Sequence, residues 1–247
     1  MSPVKSFLIL GLLFFNTAQA APEKSLDRVL LLGDSHAYGK YGEVLDAHFR
    51  TSAKQVTSYS SCGSSPSTWT TTTANFKSTN CGFWKKSAAD RETRVKSHKL
   101  PSFNSELRNL RPQLTVITLG TNILASPGNI SSEKKHIESM MKAIRAQGSE
   151  CVWVGPPDLA KAPFSKNLQS GVETIKALAE KNQCHFIDST KLTQYPSGKS
   201  DGIHYGPNDS AKWGQAVVEK IKGLKLKSAQ GTPSPAATKT DTPAGVR

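Results

Sequence analysis

Five short strand-like runs punctuate this chain: RVLLLG at 28–33, KQVTSYSSCG at 54–63, LTVITLG at 114–120, CVWVGPP at 151–157 and CHFIDS at 184–189. Helical patterns at 40–50, 131–147, 165–182 and 208–224 follow four of them. Runs that are apolar on consecutive residues bury both faces of a strand, and alternation with helices lets the strands run parallel. The pattern therefore predicts α/β architecture: one sheet of about five parallel strands, covered by helices on both faces. The helix boundaries agree. In GNISSEKKHIESMMKAIRAQG, serines open a stripe of Ile137, Met140, Met141 and Ile144, and Gly148 stops it. In GPNDSAKWGQAVVEKIKGL, Asn208 or Asp209 can cap a core stripe of Trp213, Val217, Ile221 and Leu224.

The two ends stand outside this pattern. Lys5, the apolar run FLILGLLFF and AQA before Ala21 have the form of a secretory signal peptide over 1–20. The domain is expected over 21–227, and the Pro/Ala/Thr-rich residues 228–247 read as a disordered tail. Nothing after the leader approaches the eighteen or so apolar residues of a transmembrane helix. Residues 64–111 interrupt the alternation with a polar insertion, and its Trp69 and Trp84 either stack on a sugar or anchor the loop.

Export sets the redox compartment. Cys62, Cys81, Cys151 and Cys184 are even in number, so two disulfides are expected, with three connectivities open. Cys151–Cys184 is favoured because each opens a strand-like run and those openings would be neighbours in a parallel sheet; Cys62–Cys81 would then close a loop. No Cys-x-x-Cys or paired Cys/His spacing is present, so no metal is expected. The net charge of +13 draws the protein toward anionic envelope surfaces or polymers, or serves solubility. No nucleic-acid-binding signature accompanies it.

In an open parallel sheet, ligands bind beyond the carboxyl ends of the strands. The first strand delivers Asp34, Ser35 and His36 there, the second Cys62 and Gly63, and the third Gly120, Thr121 and Asn122; SDGIHYG brings Asp201 and His204 just before the last helix. A serine hydroxyl needs an adjacent base, and an imidazole held by a carboxylate is the usual one. Ser35, His204 and Asp201 are the residue types for those roles. The N–H groups of Ser35 and Gly63 and the amide of Asn122 are candidate oxyanion donors, with Gly82 in NCGFW a competitor for Gly63. His36, Trp69 and Trp84 are candidates for substrate contact. Asp34 is expected to brace its own turn.

These blocks in this order, GDSH, SCGSS, LGTN and DGIH, resemble the SGNH (GDSL-type) hydrolase superfamily over about Arg28 to Leu224. The resemblance implies a flavodoxin-like three-layer fold and metal-free, cofactor-free acyl-ester chemistry. It also implies Ser35 as nucleophile, Gly63 and Asn122 as oxyanion donors, and Asp201 with His204 completing the triad. Two departures stand out. GDSH replaces GDSL, which resembles periplasmic members acting on acetylated polysaccharides, and Ile123 replaces the usual Asp after Asn122. The expectation is a periplasmic or secreted serine esterase removing acetyl groups from a carbohydrate polymer such as peptidoglycan of the cell wall. An acyltransferase using the same triad, a lipid or thioester hydrolase and an inactive polysaccharide-binding protein are the alternatives.

Overall fold

The computed structural model describes residues 26–71, 81–89, 91–198 and 200–226. The leader at 1–20, the start at Ala21 and the tail at 228–247 lie outside the described residues. Five strands pair in parallel: β1 (Leu26–Gly33), β2 (Ala53–Ser61), β5 (Leu114–Thr118), β6 (Glu150–Val154) and β7 (His185–Ile187). Two short antiparallel strands, β3 (Phe83–Lys86) and β4 (Glu92–Val95), extend the sheet beyond β2, giving the order β4-β3-β2-β1-β5-β6-β7.

The sheet thus has seven strands where the sequence pattern indicates about five. The additional pair comes from the polar insertion. FWKK buries only Phe83 and Trp84, while ETRV is charged and lies at the sheet edge, where charge discourages further pairing. Neither run carries the apolar length that marks a strand. Buried Asp46 helps fasten β3: its carboxylate takes Ser58 Oγ at 2.6 Å and pairs with Lys86 Nζ at 3.1 Å.

Alternate residues of β1 feed two cores, as a doubly covered sheet requires. Leu30 and Leu32 pack toward α3 (Pro66–Thr70), α4 (Phe103–Leu110), α5 (Pro127–Ala146) and α6 (Phe164–Lys181). Val29 and Leu31 pack toward α1 (Ser35–Tyr38), α2 (Lys40–Ser52) and α7 (Pro207–Lys222). Two helix starts differ from expectation. Helix α5 begins at Pro127, where Ser126 accepts the Asn129 N–H, and α7 begins at Pro207 after Gly206, with no capping bond from Asn208 or Asp209. In both, proline at the first turn presets the backbone and needs no N–H acceptor.

Trp69 and Trp84 are core residues here, which corrects their assignment as substrate contacts. Both are about 2 % exposed. The Trp69 indole N–H donates to Ser64 Oγ, and that of Trp84 donates to Glu92, with the Arg94 guanidinium over its ring. Disulfides join Cys62 to Cys81 and Cys151 to Cys184, the latter across the adjoining first rows of β6 and β7. Among the described residues no helix is long and apolar enough to cross a membrane.

Candidate active site

The carboxyl ends of β1, β2 and β5 lie side by side, and the loops leaving them meet the 200–206 segment that enters α7. After Gly33 the chain turns at once into α1. A Cβ at Gly33 would sit 2.4 Å from that of Ala37, so only glycine allows so sharp a turn. Asp34 caps α1 by accepting the His36 N–H at 3.0 Å, and its own N–H donates to Thr118 O on β5. Burial pushes the Asp34 carboxyl up to about 7, against the opposing pull of N–H donors from His36 and Thr121. It braces the turn that presents Ser35.

Ser35 Oγ lies 2.9 Å from His204 Nε2, and His204 Nδ1 lies 2.5 Å from Asp201 Oδ2. The three-residue step in DGIH makes this possible: Asp201 Oδ1 also accepts the N–H groups of Ile203 and His204, folding the segment around the carboxylate. Desolvation opposes ionisation of Asp201, but these bonds, led by the imidazole, win and hold its carboxyl well below the usual range. A permanent carboxylate at Nδ1 leaves Nε2 free to accept the Ser35 proton. His204 and Asp201 are about half exposed, so water reaches the pair.

Gly63 follows β2 with φ +78°, a conformation that strains other residues. Among the described residues neither the Ser35 nor the Gly63 N–H has an acceptor, so both are available to a bound oxyanion. Asn122 is the second residue of a 3₁₀ turn at Thr121–Ala125 and donates one amide hydrogen to Ser64 O at 2.8 Å, leaving the other to point elsewhere. That bond orients Asn122 without the aspartate that Ile123 replaces. Gly82 is buried against Val95, and its carbonyl accepts the Cys62 N–H, which ties the start of β3 to the end of β2.

His36 does not line the mouth of the site, which corrects its assignment as a substrate contact. It is 6 % exposed and lies edge-on to Trp213, its ring centre 5.3 Å from that of His204. Burial pulls its pKa down to about 3, so it stays neutral.

Several supporting residues carried no sequence signal of their own. Tyr195 Oη bonds Ser200 Oγ and donates to His204 O, steadying the DGIH segment. Asp158 accepts the N–H groups of Leu159 and Tyr195 and is a structural brace. An open groove of about 410 Å³ passes Asp201, bounded by Ala160, Lys161, Tyr195, Pro196 and Ser200.

Comparison with known proteins matches residues 31–209 to the model of the GDSL-like lipase/acylhydrolase family. The chain is 28 % identical over 222 residues to Protein BcsX of Komagataeibacter xylinus, covering 84 % of this chain and 81 % of that one. Similar solved folds include a carbohydrate acetylesterase family member from Sinorhizobium meliloti, at TM-score 0.56 and 19 % identity, over 80 % of this chain and 100 % of that one. An inhibitor-bound aryl esterase of M. smegmatis gives TM-score 0.57 at 15 % identity, over 80 % and 99 %.

Proposed function

The chain belongs to the GDSL-like lipase/acylhydrolase family, and from that premise we propose that it is an exported serine esterase removing acetyl groups from a carbohydrate polymer. Ester hydrolysis is the activity of the family; the nucleophile, the acyl group, the polymer and export are the added steps. The observation that carries the reading is the continuous chain Ser35 Oγ, His204 Nε2, His204 Nδ1, Asp201 Oδ2, with contacts of 2.9 and 2.5 Å.

In this reading Ser35 Oγ attacks the ester carbonyl as its proton passes to His204 Nε2. The oxyanion takes hydrogen bonds from the N–H groups of Ser35 and Gly63 and the free amide hydrogen of Asn122. Collapse breaks the bond to the sugar oxygen, which receives the proton from His204. Water then attacks the acyl-serine, giving one proton to His204; expulsion of Ser35 Oγ returns that proton to it and releases the acid. The exposure of His204 and Asp201 supports water over a second sugar as the acyl acceptor. The groove past Asp201, lined by Lys161, Tyr195, Pro196 and Ser200, offers space beside Asp201 for the flanking units of a polymer.

The test is trapping of Ser35 by a fluorophosphonate together with acetate release from O-acetylated wall polymer. Labelling that persists in Ser35→Ala, or a marked preference for long-chain nitrophenyl esters over the acetate, overturns the reading.

A further inference from the structure

Glu133 sits where a carboxylate is costly. On α5 it lies three residues after Ile130 and four before Ile137, within the apolar stripe, and it is 8 % exposed. Among the described residues no cation pairs with it. Its oxygens instead accept Ser65 Oγ at 2.8 Å, the Ser67 N–H at 2.8 Å and Ser67 Oγ, all from the first turn of α3. One turn further along α5, His136 Nδ1 meets Thr70 Oγ1 at 2.7 Å, at the other end of α3. Helix α5 thus grips α3 at both ends, and α3 leads directly from the loop carrying Gly63.

Cys62 and Ser64 on either side of Gly63 are buried, whereas Gly63 itself is exposed. Nothing lies within 4 Å of where a Cβ at Gly63 would be. The direction of the Gly63 N–H is therefore set by its neighbours: the Cys62–Cys81 disulfide before it, and Ser64 with α3 after it. We propose that Glu133 is a positioning residue for the oxyanion site, holding α3 so that the Gly63 N–H and the Asn122 amide converge on the developing charge. The proposal rests on the reading of Ser35 as nucleophile. Because the donors act on charge that appears only in the transition state, loss of the grip lowers kcat and leaves substrate binding nearly intact.

The experiment is steady-state hydrolysis of p-nitrophenyl acetate by Glu133→Ala and Glu133→Gln, with circular dichroism to verify folding. Outright loss of an oxyanion donor costs about 10²–10³ in kcat, and a misdirected donor is expected to cost about tenfold or more, with KM within about twofold. Glu133→Gln keeps one acceptor oxygen and recovers most of the rate. The midpoint of the pH profile of kcat/KM stays in place, because His204 and Asp201 are untouched. Should Glu133→Ala not fold, Ser65→Ala and Ser67→Ala remove the hydroxyl partners and are expected to lower kcat in the same direction. The proposal is overturned by folded variants with parental kcat, by a loss confined to KM, or by a displaced pH midpoint. A parent protein without Ser35-dependent hydrolysis overturns the esterase reading as well, whereas an active parent with an equally active Glu133→Ala overturns this proposal alone.

Discussion

Asp34 and His36 flank Ser35 with ionisation tendencies of opposite sign. Burial raises the Asp34 pKa to about 7 from 3.8, so between those values the folded state holds a proton that the unfolded chain releases, and stability falls as pH rises. Burial lowers the His36 pKa to about 3 from 6.5, so between those values the unfolded chain takes up a proton that the folded state refuses, and stability falls as pH drops. From about pH 4 to 6.5 the two effects cancel. Replacing His36 with Gln removes one of them. Relative to the parent, the unfolding free energy of His36→Gln from urea melts is expected to fall as pH rises through this window, with a slope approaching about 1.4 kcal/mol per pH unit. Parallel pH profiles for variant and parent refute the assignment of His36. At Asp201 the shift runs the other way, and a carboxylate ionised throughout the working range gives His204 a fixed tautomer. Asp201→Asn should lower kcat by about 10⁴ while preserving fluorescence and melting behaviour. The meeting of Ser35, Asp201 and His204 was legible in the sequence, because their types are the ones the proposed chemistry demands. Glu133 and Asp158 were not, since their worth lies in partners 66 and 37 residues away that only tertiary packing supplies.

The same distinction separates the elements. β1, β5 and β6 could be read from apolar runs, because burial on both faces leaves that pattern in the sequence, and β2 and β7 from their place in the strand–helix alternation; β3 and β4 could not, because an edge strand needs few apolar residues. The long helices were legible to within a few residues, and their starts shifted where Pro127 and Pro207 could open the first turn. The two disulfides belong to different elements and should separate stability from activity. Cys151–Cys184 spans 33 residues and joins the far ends of β6 and β7 from the site, so its removal is expected to cost about 4 kcal/mol with kcat unchanged. Cys62–Cys81 abuts Gly63 and spans 19 residues. Replacing that pair with serines should cost about 3 kcal/mol and, on the proposed mechanism, also lower kcat, because the loop carrying Gly63 loses its upstream anchor. Denaturant melts with parallel kinetics on the two double variants would decide it; equal kcat in both would show that the loop does not depend on its disulfide.

At the scale of the whole molecule, fold and charge answer different questions. The sheet order explains why groups 169 residues apart in the chain, Ser35 and His204, become neighbours: β1 is central, and α7 packs back across α2 beside it. The net charge of +13 does nothing for that arrangement and acts on whatever approaches from solution. Lys161, at the groove past Asp201, has no acidic partner among the described residues and is open to an anionic ligand. If the basic surface gathers a polyanionic wall polymer, the attraction must weaken as salt shortens the screening length from about 10 Å at 0.1 M to about 3 Å at 1 M. The KM for O-acetylated polymer is then expected to climb steeply with sodium chloride. The KM and kcat for p-nitrophenyl acetate should hardly change, because that substrate carries no net charge for the basic surface to attract. Measuring both substrates over one salt series separates the two uses of charge. Parallel, shallow responses would assign the lysines to solubility, and a rise confined to the polymer would assign them to capture of the substrate ahead of the chemistry.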